Sequence, residues 1–210
     1  FMKISINQIK PKYMSESELS GSDIYLQDDL VFESGKKYLI KSNSGNGKSS
    51  FLNFIFQSNL NFTGSIKYLN INNDNLIYLR RNKLSYVFQD FKLFPELNII
   101  ENLRLKNNLT EYKSDQELLD LIEKVDLINK KDSLIRELSL GQRQRVAIIR
   151  SLCQPFSFLL LDEPFSHLDD SNIEILTNLI DQELESRQAG MILTTLNNEY
   201  LFSYDKKINL

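Results

Sequence analysis

The first hydrophobic pattern along the chain has a period of two. In KISI, from Lys3, isoleucines alternate with polar residues, which predicts a strand. KKYLI, ending at Ile40 and preceded by a turn at Gly35, is a short apolar run and reads as another strand, so residues 3–40 are taken as short strands. The rhythm then changes: Phe51, Leu52, Phe54 and Ile55 in SSFLNFIF recur at helical spacing. A strand, a polar loop and a helix therefore follow one another. KLSYVF at 83–88 returns to a strand pattern.

The middle of the chain has a different character. LNIIENLRL is helical in period, and SDQELLDLIEKV places Leu118, Leu119, Ile122 and Val125 on one face. Ser114 followed by Glu117 is the sequence mark of a capping box. Residues of about 91–150 are therefore expected to form a helical insert. FSFLLLD, beginning at Phe156, is continuously apolar, as befits a strand covered on both faces of a parallel sheet. A helix over about 171–186, the strand GMILTT and a last short strand in KKINL complete the pattern.

Composition narrows the possibilities without choosing among them. The 210 residues suffice for one α/β domain with a full core. A net charge of −3 and an isoelectric point near 5.4 give no ground for nucleic acid or an anionic lipid surface as a direct partner. The single cysteine, Cys153, lies in an apolar stretch, excludes an internal disulfide and fits a reducing compartment. No apolar run approaches the length of about 18 residues that a membrane span needs. The start, MKISINQIK after Phe1, lacks the apolar core of a signal peptide, and a soluble, cytoplasmic chain is expected.

The polar loop carries the first chemistry. KSNSGNGKSS, residues 41–50, matches the phosphate-loop pattern G-x-x-x-x-G-K-[ST] at Gly47, Lys48 and Ser49, with Ser42 in place of the first glycine. Such a loop turns backbone N–H groups and a helix N-terminus toward an anion. Gly45 and Gly47 permit the close approach. Lys48 would reach the β- and γ-phosphates, and the Ser49 hydroxyl would bind Mg²⁺. If positive φ is required at Ser42, it adds about 1–3 kcal/mol of strain. The second element is FLLLDEP: an apolar strand ending in Asp162, expected to hold the metal through water, and Glu163, expected to be the general base.

A third element points to a family. LSLGQRQRVAIIRSL, 138–152, resembles the signature segment of ATP-binding cassette (ABC) ATPases, with Leu140 where that family usually has glycine. Gln89 in YVFQDF resembles the Q-loop glutamine, SHLD at 166–169 resembles the D-loop, and Tyr13 lies near where the family stacks an aromatic on adenine. The resemblance spans essentially the whole chain. It implies a P-loop NTPase (RecA-like) α/β core with a mostly parallel sheet and N-terminal antiparallel strands. The core would comprise 1–90 and 151–210, with the helical subdomain over 91–150.

The resemblance also implies a mechanism. Two protomers would sandwich two ATP molecules head to tail. Each ATP would be held by Asn43, Ser44, Gly45, Asn46, Gly47, Lys48, Ser49 and Ser50 of one chain, with Tyr13 on the base, and by Ser139, Gly141 and Gln142 of the other. Gln89, Ser49 and Asp162 would attend Mg²⁺. The partner chain would be a second copy or a second, complete ATPase. An integral membrane transporter subunit would dock beside FKLFPEL, 91–97, holding the ATPase at the inner face of the cell membrane. FQDFKLFPELNIIENL is similar to the lipoprotein-release and macrolide-export branch.

One part of the family pattern is missing. The histidine that usually follows the last core strand has no counterpart, and the aligned residue is Thr195. The chain's one histidine, His167, lies inside the D-loop. Losing a charge or acid at a reacting group slows a reaction by about 10²–10⁴-fold. Slow hydrolysis is therefore expected, with an ATP-gated dimerisation clamp as the alternative.

Overall fold

In the computed structural model the described residues are all but Ser20, 43–46 and Asn197. The strands and α-helices run β1 (Lys3–Pro11), β2 (Leu30–Glu33), β3 (Lys37–Lys41), α1 (Lys48–Ile55), β4 (Phe62–Leu69), α2 (Leu76–Asn82), β5 (Leu84–Val87) and α3 (Ile99–Asn107). They continue as α4 (Asp115–Lys124), α5 (Leu140–Ser151), β6 (Phe158–Asp162), α6 (Asp170–Arg187), β7 (Gly190–Thr195) and β8 (Lys206–Asn209).

Among the described residues two sheets result: an antiparallel three-stranded sheet in the order β2-β1-β4, and a parallel five-stranded sheet in the order β5-β6-β7-β3-β8. The second explains the continuously apolar runs. Phe158 and Leu160 of β6 belong to the core that α1 and β1 cover, whereas Leu159 and Leu161 belong to the core formed with α3–α6. Tyr38 and Ile40 of β3 join the first core and Leu39 the second. Period-two alternation thus survives, but both faces are buried. Each such side chain contributes about 1.5–3 kcal/mol through removal from water.

The strand β4 and the helix α2 were not anticipated. β4 pairs with β1 across an irregularity between Asn7 and Lys10, where Gln8 has φ 49°. Gly64 (φ 84°) lies so close that an added Cβ would meet the Gln8 carbonyl oxygen at 2.3 Å, so only glycine fits there.

In the central segment, α4 carries the expected capping box: Glu117 N donates to Ser114 Oγ (3.3 Å), and Ser114 N donates to a Glu117 carboxylate oxygen (2.7 Å). α3 has another, between Asn98 and Glu101. The buried Asn102 fixes the preceding loop: its Oδ1 accepts from Phe94 N at 2.9 Å and its Nδ2 donates to Phe94 O at 3.1 Å. The FKLFPEL stretch is therefore an ordered loop with Phe94 exposed. No described helix is long and apolar enough to cross a membrane.

Candidate active site

The parallel sheet delivers β3, β6 and β7 side by side, so their C-terminal ends meet where α1 begins. Gly47 is the N-cap of α1 with φ 87° and ψ 17°, a left-handed conformation that favours glycine. Tyr25 Oη donates to Gly47 O at 3.0 Å and pins the turn. Burial pushes the Tyr25 phenol well up, so it remains a donor. Ser42 is not among the described residues with positive φ, and its N–H donates to Thr195 O (3.3 Å), tying the loop's start to β7. Asn43, Ser44, Gly45 and Asn46 lie outside the described residues.

Lys48, only 6% exposed, donates from Nζ to Ser42 O at 2.9 Å and pairs with a Glu163 carboxylate oxygen at 3.6 Å. Tyr13, exposed, donates to Ser50 Oγ. Tyr13, Gly47, Lys48, Ser49, Ser50, Gln89 and Glu163 line one cavity of about 340 Å³. Of the residues assigned to phosphate from sequence, Gly47, Lys48, Ser49 and Ser50 are thus brought together with the residue assigned as base.

Asp162 ends β6 and is buried. Thr194 Oγ1 donates to its Oδ1 at 2.8 Å, and Tyr86 Oη lies 3.5 Å from Oδ2. Burial, and then the nearby Asp162 charge, push the Tyr86 phenol up, so it stays protonated. Neither Thr194 nor Tyr86 was singled out from the sequence, because only the register of β5, β6 and β7 brings them to the carboxylate.

Thr194→Val keeps the shape and deletes a hydrogen bond to a buried acid. A loss of about 1.5–3 kcal/mol in stability is expected from urea unfolding. An unchanged midpoint would mean that the hydroxyl contributes nothing.

Ser49 Oγ lies 3.5 Å from Gln89 Oε1, and Ser49, Gln89 and Asp162 share the lining of a cavity of about 510 Å³. A hydroxyl, an amide oxygen and one carboxylate suit Mg²⁺, which keeps waters and takes its remaining ligands from phosphate. The described residues contain no cluster of three or more His, Cys, Asp or Glu that would hold a metal unaided. The donor set fits a cation that arrives with a nucleotide.

Glu163 has φ 46°, a left-handed backbone costing about 1–3 kcal/mol for a side-chain-bearing residue. Its N–H donates to Thr194 O at 3.1 Å, and its carbonyl accepts from Gln144 Nε2 at 3.3 Å.

The signature segment forms a separate site. Ser139 caps α5: its Oγ accepts from Gln142 N at 3.2 Å, and its own N–H donates to Gln142 Oε1 at 3.0 Å. A Cβ on Gly141 would meet His167 O at 2.9 Å, so the first turn of α5 lies directly on the D-loop segment. Ser139, Gly141, Gln142, His167 and Asp169 help line a cavity of about 210 Å³. No described residue lines both this cavity and that of Lys48. His167 belongs to the signature cavity, with Nδ1 2.8 Å from Ser166 Oγ and its ring edge-on to Phe91. Leu140 is 41% exposed at the helix start.

Thr195 is the last residue of β7, as expected from the strand pattern GMILTT, and is 2% exposed. The position just after the strand is Leu196, 42% exposed.

A parallel sheet ending on a phosphate loop, an acidic pair and a capped signature helix define a P-loop ATPase cassette. Residues 26–166 match the ABC transporter family, and the chain belongs to that family. The chain is 35% identical to the lipoprotein-releasing system ATP-binding protein LolD of Treponema denticola, over 91% of this chain and 88% of that protein. It is 28% identical to LolD of Leptospira interrogans, over 99% and 88%. Among solved structures, the dimeric post-hydrolysis state of the ATP-binding cassette MJ0796, bound to ADP and Pi, superposes with a TM-score of 0.76 at 25% identity. That match covers 92% of this chain and 88% of MJ0796.

Proposed function

We propose that this chain is the ATP-binding subunit of a transporter and hydrolyses ATP slowly, as a head-to-tail dimer bound to a separate membrane subunit. The observation that carries the reading is the division of the site. Lys48, Ser49, Gln89 and Glu163 share one cavity, while Ser139, Gly141 and Gln142 line another on the same chain. A second protomer turned end to end would bring its signature cavity over the first. The solved MJ0796 cassette is dimeric and holds ADP and Pi. The two LolD relatives favour the lipoprotein-releasing branch for this chain.

In this reading Lys48 and the backbone N–H groups at the start of α1 hold the phosphates, and Tyr13 takes the base. Glu163 accepts the proton of the attacking water. Ser49, Asp162 and Gln89 would hold Mg²⁺, which supplies neutralising charge to the phosphates when bound. Ser139 presents its hydroxyl and the N-terminus of α5 to the partner's nucleotide. The ordered FKLFPEL loop, with Phe94 exposed, is the proposed docking surface for the membrane subunit, which would keep the protein at the inner face of the membrane.

The absence of an imidazole at Thr195 is the proposed cause of slow turnover. Steady-state phosphate release, with Glu163→Gln as the blank, tests it. Thr195→His is expected to raise the rate by about tenfold or more. Release equal to the blank with ATP still bound would replace the hydrolase reading by an ATP-gated clamp.

A further inference from the structure

Gln144 is 1% exposed and lies on α5 beyond the signature residues. Its Oε1 accepts from the backbone N–H of His167 at 3.0 Å. Its Nε2 donates to Glu163 O at 3.3 Å and to Ser166 Oγ at 3.4 Å. The backbone fixes the amide's orientation, because a peptide N–H can only donate and a peptide carbonyl can only accept. One side chain thus grips both ends of the turn from Glu163 to His167.

The turn needs such a grip. Glu163 sits at φ 46°, and its peptide is fixed on one side by Thr194 O and on the other by Gln144. Strained backbone persists where surrounding contacts over-determine it. The same helix begins at Ser139, and its first turn lies on His167 O through Gly141. A rigid body displacement of α5 would therefore move the anchor of the Glu163 carbonyl.

We infer that Gln144 is a positioning residue that couples the signature helix to the Glu163 carboxylate within one chain. It sets the base's geometry without touching nucleotide. The inference rests on the hydrolytic reading of the site. It adds a connection inside each protomer by which movement of α5 turns hydrolysis up or down.

Two variants separate positioning from packing. Gln144→Glu has the same shape and still accepts from His167 N–H, but it sets a carboxylate oxygen against Glu163 O. Gln144→Leu fills similar space and makes none of these bonds. In the whole chain with ATP, both are expected to lower kcat by about 10- to 100-fold, with KM little changed. Amide hydrogen exchange without nucleotide is expected to accelerate at His167 in Gln144→Leu and to stay near wild type in Gln144→Glu.

Folded variants with wild-type kcat, or a loss confined to KM, would overturn the inference. So would unchanged exchange at His167 in Gln144→Leu. If wild type itself releases no phosphate above the Glu163→Gln blank, the hydrolytic reading fails. The exchange result then still decides whether Gln144 holds the turn.

Discussion

Glu163→Gln is expected to lower steady-state phosphate release by about 10²–10⁴-fold while ATP binding is retained. Glutamine has the size of glutamate, so the turn at φ 46° and its anchors on Thr194 O and Gln144 are unaffected. What disappears is the ability to take a proton from water. The substitution also removes the negative partner of Lys48, which lies 3.6 Å away in the cavity. That loss leaves the cation more available to phosphate, so affinity should hold or rise. With binding intact and hydrolysis removed, the ATP-bound dimer should accumulate. Light scattering in saturating ATP then reads twice the monomer mass. Unchanged phosphate release would assign the base elsewhere, and a monomer under those conditions would count against the sandwich.

Much of this site is legible in the sequence because its parts are short and contiguous. The phosphate loop follows an apolar run, and the acidic pair ends one that β6 buries on both faces. The capping box at Ser114 is legible for the same reason, since a helix start is decided by four neighbouring residues. β4 escaped notice because its residues are mostly exposed or half-buried and carry no clean alternation, and a glycine interrupts them. α2 has seven residues and one buried side chain, Leu79, too little for a periodic signal.

The residues around the site missed from sequence share a different cause. Thr194 and Tyr86 reach Asp162 only through strand register, and Gln144 meets its partners only when α5 lies on the turn after β6. In the string QRQR, Gln144 looks like one polar residue among several. Its near-complete burial is what distinguishes it.

Lys48→Ala is expected to weaken ATP binding by about 10²–10³-fold in an equilibrium titration. Two effects act in the same direction. The cation that would meet the phosphates is lost. Glu163, deprived of its partner, then presents an uncompensated carboxylate to the same cavity and repels the anion. The double variant Lys48→Ala/Glu163→Gln separates them, because it removes the repulsion without restoring the attraction. It should recover part of the lost affinity, and the recovered part measures the coupling between the two residues. No recovery would mean that the Glu163 charge does not oppose phosphate and that the ion pair is incidental to binding. Unchanged affinity in Lys48→Ala itself would be more serious. It would place the phosphates away from α1 and take the phosphate loop out of the mechanism.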